Sequence, residues 1–182
     1  KIADLKKRLL FTLFVIVIFR ILSHIPVPGV DILALRNLIE QNNILGLLNI
    51  FSGGSLKNFS VVTVGLNPYI SASIIMQLMT MIFPSLEAMS KEGEAGRQQI
   101  NQYTRYLTVP LALVQSYSVY FLFKSQSLMK VLSTFDLIIL VLTLTAGTML
   151  LMWIGELLTE YGVGQGISMI IFVGIVSAIP QG

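Results

Sequence analysis

Glu156 and Glu160 stand four residues apart in Trp153-Ile-Gly-Glu156-Leu-Leu-Thr-Glu160-Tyr161, and carboxylates paired on one helical face can divide acid and base roles between them. Their setting argues against that use. They close a long apolar run with a glycine-rich turn beyond, the place of a solvated helix end. His24 is the only histidine; beside Pro26 and Pro28 it reads as an interfacial residue rather than a base or a ligand. Arg20 falls near the end of the same apolar stretch, where snorkelling carries a guanidinium to the interface. The chain has no His-Glu-x-x-His, no Gly-x-Ser-x-Gly, no phosphate-binding loop and no dinucleotide fingerprint. It also lacks cysteine, which excludes disulfides and thiolate metal sites. No catalytic residue, metal ligand or cofactor is assigned, and no enzyme is expected.

A different chemistry is available, that of excluding water. Leu66 and Ile70 share a helical face around Pro68, and side chains without hydrogen-bonding groups offer an ion no replacement for its hydration shell. Just upstream, Ile44-Leu-Gly-Leu-Leu-Asn-Ile-Phe51 is almost wholly apolar, yet at about 1.5 Å per residue it covers only about 12 Å. It is too apolar for open water and too short to span a bilayer. Ser52-Gly53-Gly54-Ser55 follows as a hinge. Two placements satisfy these facts: a re-entrant piece inside a protein-lined cavity, or an interfacial loop packed on helix ends.

The elements that position these residues follow from composition. Hydrophobic residues make up 54% of the chain and charged ones 12%, with a mean hydropathy of +0.80, too apolar for a soluble domain of this size. A membrane span needs about 20 apolar residues. Windows 58–86, 106–123, 137–155 and 161–182 carry no charge, and 9–25 is apolar apart from Arg20 and His24. Five spans are expected, at about 9–25, 58–83, 106–123, 137–155 and 164–180, in an all-α membrane bundle. Pro68 predicts a kink or break in the second. The first could pass for a cleavable signal after Lys6, Lys7 and Arg8, but Pro26, Pro28 and Gly29 follow it instead of a small-residue cleavage pattern. The chain opens on Lys1 rather than Met, and upstream residues are expected.

Between the second and third spans lies a polar loop over 84–105 holding Lys91, Glu92, Glu94, Arg97 and Arg105. Its cations, with Lys1, Lys6, Lys7 and Arg8, outnumber those of the opposite segments (Arg36, Lys57, Lys124, Lys130), so this loop and the N-terminal tail are expected to be cytoplasmic. Within 24–58, Asp31 is placed to cap an amphipathic helix with Ile32, Leu35 and Ile39 on one face. An odd number of spans means that a second copy of the unit inserts upside down, the origin of inverted repeats. No internal repeat is visible in this chain.

Several runs, in order, resemble one family: Arg20 with His24-Ile-Pro-Val-Pro-Gly29, Phe51-Ser-Gly-Gly54, Pro68-Tyr-Ile-Ser-Ala-Ser-Ile74 with Gln77-Leu78, Lys91-Glu-Gly-Glu-Ala-Gly-Arg97 with Gln102-Tyr-Thr-Arg-Tyr106, and Gly155-Glu-x-x-Thr-Glu160 leading to Gly164-Gln-Gly-Ile-Ser168. Across nearly the whole chain they are similar to the N-terminal half of the SecY family, the channel subunit of the Sec protein translocase. Gln165 stands where that family usually has asparagine, and Tyr161 where it often has a basic residue. The resemblance implies one half of an inverted-repeat channel that passes unfolded polypeptide across the membrane and releases hydrophobic segments sideways into lipid. It implies a plug over about 44–58, including Ile44, Leu47, Leu48, Ile50, Phe51, Gly53 and Gly54. It implies a pore ring to which Leu66, Ile70, Ile167 and Ile171 contribute, and one side of a lateral gate from the second and third spans. Implied partners are SecE, SecG, the SecA ATPase or the ribosome, substrates with signal sequences, and lipid; the implied location is the bacterial plasma membrane or a thylakoid. Five further spans are expected to complete the channel.

Two other classes fit the composition. One repeat of a secondary transporter calls for an ionisable residue at mid-membrane, and 58–86 has none. An intramembrane enzyme calls for polar catalytic groups deep in a span, and Glu156 and Glu160 lie too near a helix end.

Overall fold

The computed structural model describes residues 1–27 and 29–179; Pro28 of the His24–Gly29 run and the last residue of the expected fifth span lie outside them. The described residues form eight helices and no strand. They are α1 (Ile2–Ser23), α2 (Ile32–Gln41), α3 (Asn43–Phe51), α4 (Asn67–Ile82), α5 (Pro84–Lys91), α6 (Glu94–Ser125), α7 (Thr134–Tyr161) and α8 (Gly166–Ala178).

α6 and α7 are long and apolar enough to cross a membrane, and α4 with α5 makes a third candidate only if the pair, bent by 104°, is one broken span. α1 carries Lys6, Lys7, Arg8 and Arg20 within its 22 residues, and α8 has 13, about 20 Å at 1.5 Å per residue.

Local chemistry fixes the boundaries. The Asp31 carboxylate accepts from the Leu33 and Ala34 amides at 3.1 and 3.2 Å, starting α2 as its position suggests. Leu35 and Ile39 are buried on the face expected for them. Ser133 accepts from the Asp136 amide at 3.2 Å to open α7, and Asp136 places negative charge in the first turn, where the helix dipole favours it. Pro68 does not kink a continuous helix. It occupies the first turn of α4, where a missing amide hydrogen costs nothing, and residues 58–66 before it are turns rather than span.

The polar stretch 84–105 is helical too. α5 ends at Lys91, Gly93 turns the chain at φ +84°, and α6 begins at Glu94. A Cβ on Gly96 would lie 1.8 Å from the Met89 carbonyl oxygen, so the two glycines of the Lys91–Arg97 run have separate tasks, one the turn and one the close crossing of α5 and α6. Lys91 Nζ donates to Glu87 Oε1 at 2.6 Å and holds that exposed carboxyl below its usual range. A depressed carboxylate supports the folded state above the ordinary carboxylate pKa and loses that support as pH falls through the lowered value. Four residues apart on an open surface, the pair adds little to stability.

α6 packs between α4 and α7, and α8 lies against α7 and α1. The buried side of α6 recurs every four residues at Thr104, Thr108, Ala112, Ser116 and Tyr120, mostly small groups that let backbones approach. Two apolar cores result. One gathers Leu35, Ile39, Phe59, Phe123 and Leu144 around α2 and the adjoining ends of α6 and α7; the other gathers Val15, Phe19, Val62, Leu151, Leu158 and Ile170 around α1, α7 and α8. Val61 packs against both.

Candidate functional site

The segment 52–66 joins the two cores and is not helical, so its backbone polar groups need other partners. Small hydroxyls supply them. Ser55 Oγ donates to the Ser52 carbonyl at 2.7 Å, and Thr63 Oγ1 to the Ser60 carbonyl at 2.7 Å. Ser60 Oγ accepts from the Val62 amide at 3.3 Å, and Asn49 Oδ1 from the Lys57 amide at 2.9 Å. Ser55, Ser60 and Thr63 are buried. These residues satisfy locally what a helix satisfies by repetition. One short antiparallel bridge, Pro26 with Ser60, fastens the segment through two hydrogen bonds: Val27 donates its amide to the Phe59 carbonyl at 2.9 Å, and Val61 to that of Ile25 at 3.1 Å. A contact with bare backbone closes the packing, since a Cβ on Gly147 of α7 would come within 1.9 Å of the Val61 carbonyl oxygen.

Against this frame sits a cavity of about 380 Å³, lined among others by Leu48, Phe51, Leu66, Ile70, Ile170 and Ile171. α3 brings Leu48 and Phe51 to it, resting on α2 and α8. The Leu66 carbonyl accepts from the Ile70 amide at 2.9 Å, so these two are stacked one turn apart as α4 begins. Three of the four residues anticipated for a ring, Leu66, Ile70 and Ile171, therefore face one space together with Leu45, Leu48, Phe51, Ser52 and Leu56 of the anticipated plug. Ile167, one turn before Ile171, is not among the lining residues; its Cγ1 lies 2.8 Å from where a Cβ on Gly155 would stand. Ile170, which hydropathy alone does not separate from its neighbours, is buried and lines the cavity.

Of the anticipated plug residues, Ile44, Leu47, Leu48 and Phe51 are exposed, the last two along the open side of the cavity, Ile50 is half-buried, and α3 as a whole has no buried residue. Gly53 and Gly54 both adopt positive φ, 68° and 78°, as a hinge requires. Arg20, partly exposed, also finds partners within the protein. Its Nη1 donates to Ser177 Oγ at 3.1 Å and reaches the Gly53 carbonyl at 3.5 Å, a use of Arg20 that its place in an apolar run does not reveal.

At the opposite end of the bundle, Arg105 and Glu156 form a two-pronged ion pair, Nε to Oε1 at 2.7 Å and Nη2 to Oε2 at 2.6 Å. It fastens α6 to α7. Glu160 is exposed, and Arg97, Glu92 and Glu94 are exposed as well; Arg8 Nη1 donates to the Gly162 carbonyl at 3.3 Å, joining α1 to the turn before α8. With side chains 45% and 25% exposed, the Arg105–Glu156 pair is expected to show a coupling of about 1 kcal/mol or less in a double-mutant cycle. Unfolding of Arg105→Ala, Glu156→Gln and the double variant in detergent measures it, and additive losses would show no coupling.

A family model described as SecY matches residues 60–182. The protein translocase subunit SecY of Corynebacterium glutamicum is 48% identical over 193 residues, covering 99% of this chain and 44% of that protein. The same subunit of Pseudomonas aeruginosa is 50% identical over 182 residues, covering 99% and 41%. The chain thus spans less than half the length of these curated relatives. Two solved structures share the fold with a TM-score of 0.71 at 20% identity, each covering 96% of this chain and 37% of the other: Sec61 in a canine ribosome-channel complex from the endoplasmic reticulum, and a protein-conducting channel. With the whole chain aligned to such relatives and its all-helical apolar bundle superposing on those channels, it belongs to the SecY family of integral membrane proteins.

Proposed function

We propose that this chain supplies one half of a protein-conducting channel, with 44–58 as its plug and Leu66, Ile70 and Ile171 as its share of the constriction. The observation that carries the reading is the shared cavity: Leu48 and Phe51 of a short, apolar, glycine-hinged helix line the same space as Leu66, Ile70 and Ile171 from two other elements. A constriction of branched aliphatic side chains yields around a passing polypeptide and dewets when empty, so ions are refused without a charged gate. α1, α4, α6, α7 and α8 are the five spans of the half, and α4 with α6 forms one side of a lateral exit. The α5–α6 hairpin, with Lys91, Arg97 and Arg105, faces the cytoplasm, where the SecA ATPase or a ribosome engages the channel; SecE and SecG complete it in a bacterial plasma membrane. The reading is of a conduit, and no bond is made or broken in it.

The experiment is the resting ion conductance of the full-length channel in planar bilayers with and without residues 44–58. Deletion is expected to raise resting leak several-fold. Unchanged leak, with cysteines placed in α3 freely labelled at rest, would make the segment an ordinary surface loop. A transporter repeat instead predicts a saturable small-solute flux that a translocating polypeptide does not block.

A further inference from the structure

We propose that Arg20 is the positioning residue that holds the hinge of the plug against α8, so that plug closure is coupled to the satisfaction of a charge within the bundle. The inference rests on the reading of 44–58 as a plug and adds to it what keeps that plug in place.

Arg20 lies on the last turn of α1, after the uncharged run from Leu9 to Phe19, and is itself partly buried. A guanidinium in such a place is costly unless its hydrogens find acceptors. Both acceptors it finds are neutral and belong to different elements, Ser177 Oγ on α8 and the Gly53 carbonyl at the hinge. Ser177 passes the connection on, donating to the Gly174 carbonyl at 2.9 Å. At that same level the hinge touches α8 directly, because a Cβ on Gly53 would stand 3.0 Å from Gly174 Cα and 3.3 Å from the Phe19 ring. Phe19 and Arg20 of α1, Gly53 of the hinge, and Gly174 and Ser177 of α8 thus form one small knot.

Its energetics have a direction. If the hinge withdraws, the guanidinium loses the Gly53 carbonyl and keeps only Ser177 until water reaches it, so the closed position is favoured by a charge-assisted hydrogen bond and by the glycine contact. The Gly53 bond is long at 3.5 Å, which suits a latch that must release when a substrate arrives. Lysine is a poorer substitute, since its ammonium rotates freely, whereas the two hydrogens of Nη1, the one nitrogen that meets both acceptors, are fixed in the guanidinium plane.

The test uses the full-length channel with its companion subunits in planar bilayers, comparing Arg20→Met, Arg20→Lys, Ser177→Ala, the 44–58 deletion, and Arg20→Met combined with that deletion. Arg20→Met is expected to raise the resting open fraction about tenfold, the loss of about one charge-assisted bond, with Arg20→Lys and Ser177→Ala in between. A Leu47→Cys probe is expected to react faster with an impermeant thiol reagent in Arg20→Met, a change that mere loss of stability does not produce in a channel still able to translocate. In the plug-deleted background Arg20→Met is expected to add nothing. Resting leak at the parental level in Arg20→Met while the deletion leaks would overturn the latch and leave the plug standing. Equal leak increments with and without the plug would overturn it as well, by placing the effect elsewhere. A deletion that does not leak removes the plug reading itself, and the latch with it. Should Arg20→Met fail to assemble, Ser177→Ala and Arg20→Lys decide, and parental leak in both overturns the proposal.

Discussion

Replacing Gly147 by alanine is expected to destabilise the protein by about 3 kcal/mol or more, a large loss for one methyl group. The added carbon would meet the Val61 carbonyl oxygen at 1.9 Å and its carbon at 2.8 Å. Neither is the end of a flexible side chain. They belong to the segment held by Ser55, Ser60 and Thr63, whose hydrogen bonds break if the backbone retreats. Gly46 gives the contrast. It too lies in a helix, but a Cβ there meets only the Ile39 carbonyl at 3.6 Å, an ordinary contact. Gly46→Ala is therefore expected to be neutral or to stabilise by roughly 0.5–1 kcal/mol through helix propensity. Thermal unfolding of both variants in detergent separates the two cases, and equal effects would mean that α7 does not seat against Val61.

The second large effect concerns the constriction. In the complete channel, Ile70→Asn and Ile171→Asn are each expected to raise resting ion conductance roughly tenfold or more, because exchanging a branched aliphatic group for an amide removes about 2–3 kcal/mol of preference for the dry state, a factor of ten for each ~1.4 kcal/mol. Signal-sequence-defective substrates should pass more readily for the same reason. Ile70→Leu and Ile171→Val, which keep the surface apolar, should stay near the parental conductance. Parental conductance in both asparagine variants would remove these residues from the constriction.

Much of this was legible beforehand, for physical reasons that differ by element. The uncharged windows became α4, α6, α7 and α8 because hydropathy over about 20 residues is a coarse signal that survives errors at the ends. Asp31 and the Leu35–Ile39 face are short-range chemistry and could be read directly. Residues 58–66 could not. They are as apolar as a span, and nothing in hydropathy distinguishes a helix from turns whose amides and carbonyls are met by Ser55, Ser60 and Thr63. Pro68 carried the signal, and the break expected there was a helix start. The role of Gly147 was equally hidden: a glycine among Ala146 and Thr148 in a long apolar run looks like lipid-compatible filler, and only the neighbour's backbone gives it a purpose. Two of the cavity's contributors, Leu66 and Ile70, showed themselves by spacing, whereas the contact of Ile167 with Gly155 depends on how α8 docks on α7.

The seating of Val61 against Gly147 also sets an order of assembly. Val61 precedes Gly147 by 86 positions, and at 5–20 residues per second the ribosome needs roughly 4–17 s to make that stretch. During that interval the turns of 52–66 have α1 behind them but no α7 to close against, and their buried hydroxyl bonds are open to water or to competing partners. α4, α5 and α6 can already pack on one another, but α1 has no helix to pack on until α7 arrives and joins it to them. A nascent chain halted before Gly147 is expected to leave this segment protease-sensitive, and one extended past α7 to protect it.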